Sequence, residues 1–429
     1  MRPFPEFNNE ASYLEFLQEE AYLPAGFRAA ATNISFTPQE RPTLEPYRMN
    51  IGLILTDQAT DVFGGMFTRN AFPGAPVILG RQQLDEPRMR GVVVNNKIAN
   101  VRSATGIEDA RRLTASLGGV LDLPAEELFI SSTGIIGWAL PVAEMEAALP
   151  ELAANLHEGS ALDVAQAIMT TDSFPKARRT TVGDGSIMAI AKGAGMIEPN
   201  MATMLVFVMT DCTITRDEAR AALREAVAPT FNAITIDSDM STSDTILLFS
   251  SCRTAPVHRS EFQEALTEVC RMLAQDVVRN GEGTGHVVQV TVRGMPDDTI
   301  AAGMAKAVVN SPLAKTAIFG NDPNVGRILV AIGDFLGSCG STVDTGALVI
   351  NLGTETVFRD GAFRIDREKE THLSDYLKTT ALNPRLRGYP QHQRCAEILI
   401  ECCSGAGKAT VWGSDLSDQY VRENADYRT

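Results

Sequence analysis

Thr203 follows Ala202 in the stretch Lys192-Gly193-Ala194-Gly195-Met196-Ile197-Glu198-Pro199-Asn200-Met201-Ala202-Thr203-Met204-Leu205. Two glycines and a proline fall within eight residues there, so no regular element runs through the first half. The apolar run Met204–Met209 comes next and reads as a strand buried on both faces. A threonine where an irregular loop enters a core strand has two readings. It opens the strand as a half-buried β-branched residue, or it is a nucleophile freed when the chain cuts itself. In the second reading Thr203 Oγ attacks the Ala202 carbonyl, the acyl group moves from nitrogen to oxygen, and water releases a new N-terminus. A free α-amine titrates near ~8 and supplies the adjacent base that a hydroxyl nucleophile needs. Spacing alone leaves both readings open.

A partner for such a nucleophile is Thr133-Gly134, within Ser131-Ser132-Thr133-Gly134-Ile135-Ile136-Gly137. Glycine beside a hydroxyl residue at a strand end presents a hydroxyl and backbone N–H groups to an oxyanion; the same residues also make ordinary turns. Read singly, Lys192 and Glu282 are surface charges, and Asn424 and Thr429 belong to a fraying tail. Two nucleotide-like motifs fail. Gly405-Ala406-Gly407-Lys408-Ala409 lacks the first glycine and the final Ser/Thr of a phosphate loop. Gly281-Glu282-Gly283-Thr284-Gly285-His286 puts histidine at the last glycine of a dinucleotide fingerprint and follows a helical pattern. The five histidines show no metal spacing, and Asp237 and Asp239 read as a solvated turn.

The fourteen residues 192–205 resemble the self-cleavage hallmark of the ornithine acetyltransferase family, Lys-Gly-x-Gly-Met-Ile-x-Pro-Asn-Met-Ala-Thr-Met-Leu. The resemblance extends over nearly the whole chain: Ser132-Thr133-Gly134, Thr170-Thr171-Asp172-x-x-Pro175-Lys176, Gly281-Glu282-Gly283, Phe319-Gly320-Asn321-Asp322-Pro323-Asn324, and the terminus Asn424-Ala425-Asp426-Tyr427-Arg428-Thr429. It implies cleavage between Ala202 and Thr203, Thr203 as nucleophile, and Thr133 and Gly134 as oxyanion hole. It implies substrate contacts at Thr171, Lys192, Thr203, Glu282, Asn424 and Thr429. A lysine and a glutamate suit the opposite charges of an amino-acid zwitterion. The implied reaction is ping-pong acetyl transfer from N-acetylornithine to glutamate in arginine biosynthesis. No metal or prosthetic group is needed; acetyl-CoA is an alternative donor, and a different amino-acid substrate is an alternative acceptor. A second class is an N-terminal-nucleophile amidohydrolase or aminopeptidase on a related fold, and a third an uncleaved binding protein. The implied fold is a layered α/β sandwich, its α+β elements split into intertwined pieces 1–202 and 203–429 that assemble as a heterotetramer of two copies of each. Departures lie at Thr284-Gly285-His286 for Ala-Thr-Lys and at Val325 for tryptophan. Others are Asn95-Asn96-Lys97-Ile98-Ala99-Asn100 for Asn-Ser-Gly-Asn-Ala-Asn, and Asp237-Ser238-Asp239-Met240-Ser241-Thr242-Ser243 for Asp-Gly-Asp-Thr-Ser-Thr-Asn.

The elements that must hold these residues form a mixed α+β chain without repeats. Predicted strands are Ile51–Leu55, Gly64–Asn70, Ala75–Leu79, Gly91–Asn96, Phe129–Ser132, Ala233–Ile236, Thr245–Phe249, Val287–Val292, Ala396–Glu401 and Ala409–Trp412. Predicted helices are Glu10–Glu20, Ile107–Leu117, Val142–Leu156 with a break or kink at Pro150, Ala161–Met169, and Thr299–Val309. Thr215-x-x-Glu218 and Ser260-x-x-Gln263 read as capping boxes, Asp360-Gly361 as a hairpin turn, and the residues after Trp412 as a polar tail. At 429 residues, 44% hydrophobic and 21% charged, the composition is that of a soluble globular protein. A net charge of -15 argues against nucleic acid and anionic membranes as partners. No apolar run reaches membrane-spanning length and the N-terminus has no secretory pattern. Seven cysteines without a Cys-x-x-Cys pair read as reduced and mostly core, Cys402-Cys403 in a buried strand. These features predict a cytoplasmic protein.

Overall fold

The computed structural model describes residues 5–42, 45–198 and 204–426. Ala202, Thr203 and Thr429 therefore lie outside the described residues. In chain order, α1 (Glu10–Glu20) is followed by β1 (Phe27–Phe36), β2 (Tyr47–Thr60), β3 (Phe63–Phe67), α2 (Ala75–Gln83), β4 (Met89–Asn95), α3 (Gly106–Leu121) and β5 (Leu128–Ser132). Next come α4 (Val142–Ala154), α5 (Leu162–Ala167), β6 (Lys176–Val182), β7 (Gly185–Lys192), β8 (Leu205–Thr210), α6 (Arg216–Val227), β9 (Ile234–Thr235), β10 (Thr245–Ser250) and α7 (Arg259–Arg279). The remainder is β11 (Val287–Met295), α8 (Asp298–Asn310), α9 (Pro312–Phe319), α10 (Val325–Ser338), β12 (Val349–Leu352), β13 (Glu355–Arg359), β14 (Ala362–Phe363), α11 (Arg367–Thr380), β15 (Ala396–Glu401), β16 (Gly407–Ser414) and α12 (Asp418–Ala425). No helix of the described residues is long and apolar enough to cross a membrane.

Two compact units form. One comprises Ala11–Asn232 with Met240–Val277; the other takes Met1–Glu10, Ala233–Asp239 and Val278–Thr429. The first holds two sheets, β1-β2-β4-β5 and β3-β10-β8-β7-β6. They pack face to face through aromatic edges, Phe27 of β1 on Phe249 of β10 at 5.3 Å and Phe63 of β3 on Phe129 of β5 at 6.0 Å between ring centroids. Outside the four-stranded sheet, Leu113, Leu117, Met145 and Leu149 of α3 and α4 share one core with Ile51, Leu53, Val93 and Ile130. On the five-stranded sheet, α6 lies so close to β3 that a Cβ at Gly64 would meet the Arg220 backbone at 3.4 Å. The result is a layered helix–sheet–sheet–helix arrangement, the sandwich the sequence implied. The other unit has one seven-stranded sheet, β14-β13-β12-β15-β11-β16-β9, whose Val290, Val292, Ile398 and Ile400 pack with Met304, Val308, Ile332 and Leu373 of its helices.

The all-buried run expected after residue 203 is β8, central in its sheet and buried along its whole length. It pairs antiparallel with β7 and parallel with β10. The sheet order interleaves strands from before residue 202 (β3, β7, β6) with strands from after it (β10, β8). The Thr215 capping box is present, and the Asp360-Gly361 turn joins β13 to β14 with both residues at positive φ.

Several expectations are corrected. Ala75–Leu79 is the start of helix α2, with Pro76 in its first turn; a short apolar run carries no period that separates strand from helix. Pro150 does not split α4, whose Met145, Leu149 and Leu152 are buried on either side of it; tertiary burial outweighs the lost hydrogen bond. Ala233–Ile236 yields only a two-residue strand. Ser260 does not cap α7, which begins at Arg259; its Oγ instead meets His258 Nδ1 at 2.8 Å. Cys402 and Cys403 lie just past β15, the first buried and the second exposed; only Cys212, Cys270 and Cys402 of the seven cysteines are buried. The polar tail contains α12, capped by Ser417.

Candidate active site

At one end of the first unit, six loops are tied together by hydrogen bonds. Loop 95–102 sends Asn96 Nδ2 to the Met169 carbonyl (2.8 Å) and receives the Ala75 N–H on the Asn100 carbonyl (3.0 Å). Loop 68–75 meets segment 240–244 through Gly74 N–H to Thr242 O (2.9 Å), Thr68 Oγ1 to Ser241 O (2.7 Å) and Asn70 Nδ2 to Met240 O (2.8 Å). Loop 193–198 joins the same segment by the Ile197–Met240 bridge, and the Gly193 N–H donates to Asp172 Oδ1 at 2.8 Å in loop 169–175. The sixth loop, 133–137, pairs with 97–101.

Thr133 and Gly134 leave the end of β5. Thr133 N–H donates to Asn95 O (3.1 Å) and Ile135 N–H to Lys97 O (2.8 Å). Gly134 has φ +128, and a Cβ there would lie 2.2 Å from the Lys97 carbonyl carbon. Only glycine fits. Neither the Thr133 hydroxyl nor the Gly134 N–H has a hydrogen-bond partner among the described residues; both donors are unspent, as oxyanion stabilisation requires. Behind them, Ser132 Oγ donates to Asn95 Oδ1 (2.7 Å), whose Nδ2 donates to the Asn96 and Ile98 carbonyls (3.0 and 2.9 Å). Lys97, standing where the family resemblance has glycine, adopts φ 70, a left-handed backbone that costs about 1 kcal/mol for a side-chain-bearing residue. Gly134→Ala should lower stability by about 3 kcal/mol through the clash and the backbone strain, read as a lower urea midpoint at unchanged slope.

Lys192 ends β7 opposite Leu205 of β8, half-buried and without an ion pair within 4 Å among the described residues. Two buried carboxyls lie within electrostatic range of it. Asp172 accepts from Lys176 Nζ (2.6 Å), Gly193 N–H (2.8 Å) and Thr170 N–H (3.0 Å). Burial alone would push Asp172 up, but Lys176 and Lys192 with these donors bring it down to about 2. Burial also presses the Lys176 ammonium down; three donors on one carboxylate favour the ion pair. Asp244 is pushed well up by burial, against flanking Ser241 and Thr68 hydroxyls and Lys192. Thr171, beside Asp172, is half-buried.

In the other unit, Glu282 and Asn424 come together: Asn424 Nδ2 donates to Glu282 Oε2 at 2.7 Å. The loop carrying Glu282 is locked by Gly283 at φ +63, where a Cβ would fall 2.3 Å from the Tyr420 N–H nitrogen, and by Ser417 Oγ donating to Gly283 O (2.6 Å). Next to it His286 Nδ1 and Asp415 Oδ2 are 2.8 Å apart, both buried. The sequence reading passed over Asp244, Asn95 and Lys176 as functional residues. Residues 172–176 are a loop running into β6, so no periodicity marked the Asp172–Lys176 pair, and nothing local marked Asp244.

The ArgJ family pattern matches residues 41–429. The chain belongs to the ArgJ family. It is 37% identical over 381 residues to the glutamate N-acetyltransferase Oat2 of Streptomyces clavuligerus, covering 88% of this chain and 92% of that protein. It is 38% identical over 397 residues to the arginine biosynthesis bifunctional protein ArgJ of Bartonella quintana, covering 89% of this chain and 92% of that one. The crystal structure of the arginine biosynthesis bifunctional protein ArgJ from Bacillus halodurans aligns with 52% of this chain and 98% of its own, at 32% identity and TM-score 0.45. Within this ArgJ-family chain, Thr133, Gly134, Thr171 and Lys192 belong to one unit, and Glu282 and Asn424 to the other.

Proposed function

We propose that this ArgJ-family chain is a self-cleaving acyltransferase that moves an acetyl group from N-acetylornithine to glutamate in arginine biosynthesis. The observation that carries the reading is its family membership together with the two unspent donors at Thr133 and Gly134. Cleavage between Ala202 and Thr203 frees the Thr203 amine. That amine takes the Thr203 Oγ proton as oxygen attacks the acetyl carbonyl; the Thr133 hydroxyl and Gly134 N–H carry the negative charge of the tetrahedral intermediate. The C–N bond breaks, the amine returns the proton to the departing ornithine nitrogen, and an acetyl-threonine ester remains. The glutamate amine then attacks the ester, giving N-acetylglutamate and free Thr203. Lys192 offers its charge to a substrate carboxylate; Thr171, Glu282, Asn424 and Thr429 are proposed as further substrate contacts.

The pieces 1–202 and 203–429 stay associated after cleavage in this reading, supported by the sheet that interleaves β10 and β8 with β3, β7 and β6. Breaking one peptide bond leaves those ladders intact. A cytoplasmic location, a heterotetramer of two copies of each piece, and chemistry without metal or prosthetic group complete the proposal. The test incubates purified protein with N-acetylornithine or acetyl-CoA and with glutamate or other amino acids. N-acetylglutamate formed from N-acetylornithine is the expected product. Acetate release without transfer would mark a hydrolase and overturn the reading.

A further inference from the structure

Asp244 lies in the sheet row just beyond the β10–β8 pairing. The Thr245 N–H donates to Met204 O at 3.0 Å, and the Thr68 N–H donates to Asp244 O at 3.1 Å. Thr245, Leu205 and Lys192 are paired across β10, β8 and β7, so Asp244 stands one residue further along, beside Met204. Its residue is 1% exposed. Among the described residues its buried Oδ2 has no hydrogen-bond partner and no cation approaches the carboxyl within 4 Å. A carboxylate so placed would be a buried, half-unsatisfied charge. Such a group holds its proton instead, which accords with the upward shift that burial imposes on it.

The charged groups around it are few. Lys192 faces it from β7. One contact further out, Arg81 of α2 donates to the Thr68 carbonyl, and Asp172, paired with Lys176 of β6, also acts on Lys192. If both Asp172 and Asp244 were ionised, two carboxylates and Lys176 would leave Lys192 with no net positive field. We propose that Asp244 is a positioning residue that works as an uncharged acid, seated between Thr68, Ser241 and Met204, so that Lys192 keeps its charge for an anionic group of the substrate. This rests on the reading of Lys192 as a substrate contact. Ionising Asp244 at high pH would turn it into an internal competitor for that ammonium.

The test compares wild type, Asp244→Asn and Asp244→Ala as full-length protein. Asparagine keeps the shape and a donor without a charge. Asp244→Ala should raise the KM for the acyl donor by about tenfold, and Asp244→Asn should recover most of that loss. Wild-type KM should climb on the alkaline side, and Asp244→Asn should lose that climb. A variant Asp244→Asn as impaired as Asp244→Ala, or one that keeps the alkaline climb, overturns the proposal. Thermal unfolding supplies a readout independent of acyl transfer. A raised folded-state pKa means stability that is fully present below the unfolded value of about 4 and is lost as pH rises toward the folded value. The Asp244→Asn protein should therefore gain in Tm relative to wild type as pH increases above about 4. A Tm difference independent of pH refutes the uncharged acid, even if the wild type transfers no acetyl group; a pH-dependent difference without transfer instead indicts the function assigned to the site.

Discussion

Thr203→Ala protein should run as one chain of about 46.3 kDa and transfer no acetyl group, whereas wild type should separate under denaturing conditions into pieces 1–202 and 203–429. One oxygen atom is asked to do two jobs in the proposed mechanism. Before cleavage Thr203 Oγ attacks the Ala202 carbonyl; after cleavage it carries the acetyl group. Removing it leaves neither the N-to-O shift nor the ester. Loss of a nucleophile typically costs about 10^4-fold or more in turnover, and here the general base, the freed amine, vanishes with it. Thr203→Ser keeps a hydroxyl and should retain partial cleavage. Intact-protein mass spectrometry reads the first outcome and an acetyl-transfer assay the second. Transfer surviving in Thr203→Ala removes Thr203 as nucleophile, and a wild-type chain that stays whole removes the self-cleaving mechanism.

Asp172→Ala should destabilise the protein by about 3–5 kcal/mol, the cost of leaving one partner of a buried ion pair uncompensated. Asp172 and Lys176 have fully buried side chains 2.6 Å apart. The substitution also strips the Gly193 and Thr170 N–H groups of their acceptor, so loop 193–198 loses its anchor beside Lys192. The pH signature has a definite sign. Asp172 is held down at about 2, below its ordinary 3.8. Its contribution is therefore present above the unfolded value and is lost as pH falls from about 4 through about 2. Wild type should show that acid decline, and Asp172→Ala should show less of it. Urea denaturation at neutral pH gives the magnitude, and an acid series gives the window. A variant within about 1 kcal/mol of wild type at neutral pH would mean that Lys176 finds another partner or sheds its proton.

Both variants illustrate what was and was not legible. Thr203 stands out as a candidate because the wording of residues 192–205 is local, and Thr133-Gly134 because glycine beside threonine at a strand end is visible in one dimension. The structure adds why glycine is obligatory at 134: the carbonyl of Lys97 occupies the place of a side chain. The strand β8 followed from an unbroken apolar run, and the α6 start from Thr215 and Glu218. Helix α2 escaped because its few apolar residues fit either period, and α4 continued through Pro150 because buried leucines hold it.

By itself the sequence determined the family, the candidate nucleophile, the candidate oxyanion turn at Thr133-Gly134 and the run of strand β8, all properties written in contiguous residues. Only the tertiary structure decided that Asp172 accepts three hydrogen bonds, the Gly193 N–H among them, while Asp244 is buried with Oδ2 idle among the described residues. In sequence these are two aspartates with similar flanking residues. What separates two buried carboxyls is through-space: three hydrogen-bond donors with the charges of Lys176 and Lys192 act on Asp172, while flanking hydroxyls and Lys192 alone act on Asp244. Dielectric surroundings and neighbouring charge decide how a carboxyl titrates, and both arise only when distant strands are brought into one sheet.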